Sequence, residues 1–201
     1  MTLFTASDYA TLKALTFRPD YPGYRPTVVE SPNGDGVLDV GKSYSHVAIK
    51  YFPEEDRVPT RPMKPLFAYL RKAWVKSCQV ASDLRVPPYF HPAFGAGALR
   101  ILHYPPGTTS ALHTDMSLFT VMCYRNVANP GLPDAEVHIG ELGELLGLGP
   151  ATPHEVRALD VPQESIVYFA VPDHAQAIPG TGMSVGEWIA ERMKRSRYDV
   201  K

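Results

Sequence analysis

Proline decides most of what this chain can become. Twenty stand among 201 residues. Each lacks a backbone N–H and fixes φ, so each interrupts a helix interior or a central strand. A chain punctuated this often resolves into short strands and turns with few long helices. One clear helical stretch stands out. Met63, Leu66, Phe67, Leu70, Trp74, Cys78, Ala81 and Leu84 recur at three- and four-residue steps, while Lys64, Arg71, Lys72, Lys76 and Gln79 largely fill the other face. Pro62 stands where a missing N–H costs nothing, and Pro87-Pro88 stop the pattern. The spacing predicts a support helix over 63–84 with a solvated basic face.

Elsewhere the texture is that of strands. SYSHVAIKYF (43–52), ALRILHY (98–104), SLFTVMCYR (117–125), EVHI (136–139), EVRALDV (155–161) and SIVYFAVP (165–172) are short runs of this kind. Near the start, Asp8 is placed to cap a short helix through Leu15. Pro19, Pro22 and Pro26 then keep the chain extended or turning, and SPNGDGV (31–37) holds two turn dipeptides. ELGELLG (141–147) offers one or two helical turns. SVGEWIAERMKRSRY (184–198) reads as a closing helix behind a Ser184–Glu187 capping box, with Arg192, Lys194, Arg195 and Arg197 as a solvated face, or as cations at a pocket mouth if the helix folds over one. The reading is a single domain over 1–201: a short N-terminal arm (1–40), the support helix, a β core (98–172) and the C-terminal helix. It is mainly β with flanking helices, a sandwich or jelly roll.

Charge excludes several classes of partner. Lys and Arg total 20 against 21 Asp and Glu, which leaves no electrostatic footprint for nucleic acid or an anionic membrane. No apolar run approaches the ~18 residues of a membrane span, and MTLFTASDYATLK lacks an apolar leader core, so the expected location is cytoplasmic. Cys78 and Cys123 lack the spacing of a zinc site and read as buried thiols.

Only one of the seven histidines stands two residues before an acid: His113, with Asp115, in LHTDM. On a strand, residues i and i+2 face the same way, so an imidazole and a carboxylate can reach one metal ion together. Taken alone, the pair is better read as an ordinary His–Asp contact at a strand end. His154 follows 41 residues on, just before a run of strand character. Two histidines and a carboxylate make the facial triad of non-haem Fe(II), whose open positions admit O₂ beside a substrate or co-substrate. His174 competes with His154 as the distal ligand. His46, His91, His103 and His138 have no ligand partner at suitable spacing.

Several segments, in order, resemble a known family. LRILHYPPGTTSALHTDMSLFTVM, GELGELLGLGPATPHEVRA and SIVYFAVP are similar to the metal-binding strands of the isopenicillin N synthase-like group of 2-oxoglutarate/Fe(II)-dependent oxygenases. The resemblance covers roughly residues 40–198. It implies a double-stranded β-helix, a cupin-like jelly roll, with Fe(II) held by His113, Asp115 and His154. The GELxELL approach and the QES position are both in register with His154 rather than His174. Tyr104 matches a tyrosine that relatives turn towards co-substrate or substrate, and Arg100 shares its strand face.

The chain departs from the family where it matters for function. Relatives carry Arg-x-Ser nine and eleven residues after the distal histidine to grip a carboxylate; here those positions are Gln163 and Ser165. A neutral amide cannot match the charged, bidentate grip of a guanidinium. The expectation is an Fe(II)-dependent oxygenase or oxidase that activates O₂ to hydroxylate, desaturate or cyclise a small, carboxylate-bearing molecule. Tyr104, Gln163, Ser165 and Arg100 are its acid contacts, and no catalytic residue stands beyond the ligands. The use of 2-oxoglutarate is left open. One alternative is a conventional 2-oxoglutarate-dependent dioxygenase with another anchor; a second is a catalytically silent jelly roll that binds a ligand.

Overall fold

The computed structural model describes residues 3–21, 24–31, 44–51, 64–195 and 197–200. The turn expected over 31–37, and Pro62 and Met63 at the start of the support helix, lie largely or wholly outside these residues. The fold is a mainly antiparallel β structure with helices on one side. A seven-stranded sheet runs in the order β6-β5-β8-β3-β2-β1-β9, and a two-stranded sheet pairs β4 with β7. The strands are β1 (Tyr24–Ser31), β2 (Tyr44–Tyr51), β3 (Ala96–Tyr104), β4 (Ser110–His113), β5 (Phe119–Arg125), β6 (Val137–Ile139), β7 (His154–Val156), β8 (Gln163–Val171) and β9 (Arg197–Val200). The helices are α1 (Ala6–Thr16), α2 (Lys64–Asp83), α3 (Glu141–Leu145) and α4 (Val185–Arg195). No described helix is long and apolar enough to cross a membrane.

Alternation along the central strands separates two environments. Leu99 and Ile101 of β3, Ile166, Tyr168 and Ala170 of β8, and Phe119, Val121 and Cys123 of β5 are buried in one large core with Leu66, Leu70 and Ala73 of α2 and Leu12 of α1. The opposite face carries Leu102, Tyr104, Met122 and Val167, which cluster with Val156 of the small sheet. So the large sheet has a dry side under the helices and a mixed side facing β4 and β7, the two-layer logic of a β sandwich.

The helices differ in detail from the sequence reading. Thr5, not Asp8, caps α1: the Asp8 N–H donates to Thr5 Oγ1 at 3.2 Å, and the Thr5 N–H donates back to Asp8 Oδ2 at 2.8 Å. The pair is a capping box, in which each side chain satisfies an otherwise unpaired N–H. In α2 the most buried line includes Leu66, Leu70, Ala73, Ser77 and Ala81, with Phe67, Trp74 and Cys78 beside it. Small side chains at 73 and 77 let the helix lie close to the sheet, and Ser77 Oγ returns its hydrogen to Trp74 O at 2.7 Å.

Two stretches form strands that the sequence did not assign as such. Residues 24–31, expected only as extended or turning, form β1 against β2, with the register shifting between Arg25 and Val28 around Pro26. A proline without an N–H is tolerated where the ladder is irregular. The closing helix stops at Arg195, and Arg197–Val200 pair with Val28–Ser31 instead of extending it. That pairing supplies partners for backbone groups β1 would otherwise leave open at a sheet edge. The strand expected over 155–161 is short for a related reason. Beyond Val156, Asn129 takes the Arg157 N–H through Oδ1 (3.3 Å) and gives Nδ2–H to Arg157 O (2.9 Å), replacing a ladder with side-chain bonds.

Candidate metal centre and its cavity

His113 closes β4, His154 opens β7, and the two residues are paired across the small sheet. Asp115 lies in the turn beyond β4, not on the strand, so the turn and not strand alternation brings its carboxylate round. His113 Nε2 lies 4.0 Å from Asp115 Oδ1, and His154 Nε2 lies 3.9 Å from Asp115 Oδ2. Two bonds of ~2.1 Å to one ion can span such gaps. The imidazole rings sit 4.4 Å apart. Among the described residues this is the one group of three such side chains whose donor atoms converge, all within 4.8 Å.

The neighbours of each ligand fix which atom it offers. His113 Nδ1 donates to Ala111 O at 2.7 Å and His154 Nδ1 donates to Thr152 O at 3.0 Å. Both protons are thereby held on Nδ1, leaving both Nε2 lone pairs aimed at the shared point. Thr120 Oγ1 donates to Asp115 Oδ2 at 2.6 Å, and Glu141 N–H donates to Asp115 O at 2.7 Å. Thr114, between the first two ligands, gives its hydroxyl hydrogen to Glu141 Oε1 at 2.6 Å, and Arg192 holds the same carboxylate. Arg192 is therefore not part of a solvated face. Burial alone would raise the Glu141 carboxyl, but the bonds from Arg192 and Thr114 bring it below its ordinary value.

The centre opens into a cavity of about 80 Å³ between the two sheets. Arg100, Tyr104, Gln163 and Ser165, singled out from the sequence, all line it, alongside Leu102, Met122 and Val167. Gln163 is only 6% exposed and its amide is already engaged: Oε1 accepts from Asn129 Nδ2, and Nε2 donates to Arg157 O at 2.8 Å. Arg100 lies with its guanidinium 5.0 Å from the centre of the Phe169 ring. Arg157 points away, with Nε on Glu155 at 2.6 Å, and His174 is exposed after β8. His103 faces the helix side, where Lys13 Nζ meets its Nδ1 at 3.0 Å.

Two cavity residues escaped the sequence reading. His138 is 2% exposed, its ring 5.2 Å from that of His154, and Nε2 has no hydrogen-bond partner among the described residues. Burial first, then the neighbouring His154, pull its pKa below the ordinary histidine value. Strand pairing was the missing signal: His138 stands opposite Thr120, the residue that holds Asp115. The second is Arg125. Met122 pairs with Val167, but Tyr124, not Cys123, pairs with Ile166, so Arg125 falls beside Ser165. This bulge at Cys123 reverses the parity of the strand and turns Arg125 to the cavity, where strict alternation from Met122 would have put Tyr124.

No family profile and no curated sequence matches the chain. Solved structures do. A Shewanella oneidensis protein assigned as an oxygenase superimposes with a TM-score of 0.60 at 20% identity, over 92% of this chain and 83% of that one. A full-length Neurospora crassa protein in complex with alpha-KG gives 0.55 at 19% identity, over 80% and 68%. The rice dioxygenase for auxin oxidation gives 0.53 at 17%, over 81% and 74%. The chain shares its jelly-roll fold with these proteins.

Proposed function

We propose that this chain is a mononuclear non-haem Fe(II) oxidoreductase, of the isopenicillin N synthase-like group, that activates O₂ to oxidise a small acid. The observation that carries the reading is the triad itself: the donor atoms of His113, Asp115 and His154 converge within 4.8 Å of one another, on the wall of a cavity. Two histidines and one carboxylate suit Fe(II) with open positions better than a closed four-ligand zinc site. Bound there, iron would supply the binding and reduction of O₂ that side chains cannot. The chain's own part is to orient and exclude. Thr120 and the Glu141 N–H hold Asp115, the Ala111 and Thr152 carbonyls fix the imidazoles, and Leu102, Met122 and Val167 keep the substrate side apolar.

The source of electrons divides the reading in two. Gln163, spent on Asn129 and Arg157, favours a substrate that binds iron directly without a keto acid. The alpha-KG complex of a protein with this fold supports the other version, in which 2-oxoglutarate is held through a different anchor. An anaerobic Fe(II) titration tests the core of the proposal. Wild type should take up one equivalent and then consume O₂ with substrate, while His154→Ala should bind far less. Equal iron stoichiometry in the two proteins would sink the triad assignment. A weak visible charge-transfer band on adding 2-oxoglutarate selects the keto-acid version; its absence at millimolar acid selects direct substrate binding.

A further inference from the structure

Resting on the reading of this cavity as the reaction site, we infer that its carboxylate-binding end is built from Arg100 and Arg125, on the two strands flanking β8, around the Ser165 hydroxyl. Three observations carry this. First, register places the groups together: Leu102 of β3, Ser165 of β8 and Arg125 of β5 form one cross-strand row, and Arg100 stands one inward position along β3 from Leu102. Both arginines line the cavity. Second, the bulge at Cys123 alone puts Arg125 on this face, and bulges of this kind re-aim single side chains beside active sites. Third, Gln163, the position at which the resemblance implies a cation, is neutral and already bonded.

Arg125 is held ready rather than consumed. Its Nη1 reaches Pro133 O at 3.4 Å and its Nη2 contacts Asp134. Its side chain is 18% exposed, whereas Asp134 is 99% exposed, so that counter-charge is one that water screens. A guanidinium has five N–H donors in a planar fork, enough to keep the Pro133 carbonyl and still grip a carboxylate. A second cation across β8 makes the subsite one for a carboxylate group, carried either by a keto acid's remote end or by the substrate itself. Neutral substrates of the same size gain nothing from it.

The test uses glutarate, which has a remote carboxylate but no keto group to chelate a metal, alongside 2-oxoglutarate. Binding is measured by calorimetry on the full chain, once with chelator and once with Mn(II) in place of iron. Wild type should bind glutarate in both states. Arg125→Gln and Arg100→Gln should each weaken it by about tenfold or more, and Arg125→Lys should recover part of the loss. Arg157→Gln, whose side chain points away, should bind as wild type. Asp134→Asn alters only an exposed residue, so folding is not at issue, and it should tighten binding by about 1.5- to 5-fold as Arg125 loses its competitor. Unchanged affinity in Arg125→Gln and Asp134→Asn, or no acid binding by wild type at millimolar concentration, overturns the subsite. Failure of Mn(II) or Fe(II) to bind the triad would instead strike the iron-enzyme reading, with the subsite still judged by glutarate on the metal-free protein.

Discussion

Arg192, on the last long helix, clasps Glu141 through two hydrogen bonds, Nε to Oε2 at 2.8 Å and Nη2 to Oε1 at 2.9 Å. Glu141 opens α3 and also receives the Thr114 hydroxyl, so the pair ties the C-terminal helix to the turn between two candidate metal ligands. The paired carboxyl titrates below its ordinary value of 4.5. A depressed carboxyl contributes stability that is full above the unfolded-state pKa and fades as pH falls through the lower folded value. Urea unfolding of wild type should therefore show a loss as pH falls below the ordinary carboxyl value of 4.5 that Arg192→Ala lacks in part. At pH 7 the same variant should cost about 2 kcal/mol, as a charged hydrogen-bonded pair loses one member. A variant with wild-type stability and an unchanged acid limb would show that α4 is held by its apolar contacts alone.

Thr120 is the support closest to the metal ligands. Its hydroxyl fixes one Asp115 oxygen at the cavity wall and is only 2% exposed. Thr120→Val keeps the shape and removes the donor. Partners of this kind typically set metal affinity by about 10- to 100-fold, so Fe(II) or Mn(II) should bind that much more weakly while the melting temperature moves little. Competition with a chromogenic chelator reads the affinity directly. Wild-type affinity in Thr120→Val would mean that the Glu141 N–H suffices to hold the turn.

How much of this was legible follows from which forces act locally. The support helix, the central strands and the Ser184–Glu187 capping box depend on periodicity and near neighbours, and all stood in the sequence. Arg125 did not, because a single-residue bulge depends on how β5 seats against β8. His138 did not either, since its place beside His154 comes from pairing between β5 and β6. The end of the closing helix was hidden for the same reason: Tyr198 sits in a helical pattern, but an open edge of β1 competes for its backbone. Asp115 reached the expected place by an unexpected route, through a turn pinned by Glu141 rather than along a strand.

Gln163 and Asn129 should behave as one unit. Asn129 spans Gly131 N–H, Arg157 and Gln163, and Gln163 adds its own bond to Arg157 O. The network fastens residues 126–132 over the end of β7, where no ladder continues. Gln163→Ala and Asn129→Ala should each cost about 1–3 kcal/mol, from buried groups left unpaired. The double variant should cost less than the sum, with a coupling of about 1 kcal/mol or more. Additive losses in denaturant melts would mean the two amides act independently. Gln163→Arg should destabilise as well, because it severs the same bonds while burying a charge.

Gly140 marks how tightly α3 is set against the metal-site turn. A Cβ there would lie 2.0 Å from Ser117 O and 2.9 Å from Ser117 Oγ. Backbone cannot yield as a flexible side chain does, so Gly140→Ala must push α3 away from residues 115–118. That displacement pulls on the Glu141 N–H bond to Asp115 O and on the Leu118 O bond from the Gly140 N–H. The expected cost is about 2 kcal/mol or more in stability, in the range of overpacked interiors, with metal affinity falling alongside. The two readouts separate a local from a global effect: a stability loss at constant metal affinity would show the turn keeps its shape without α3 pressed against it.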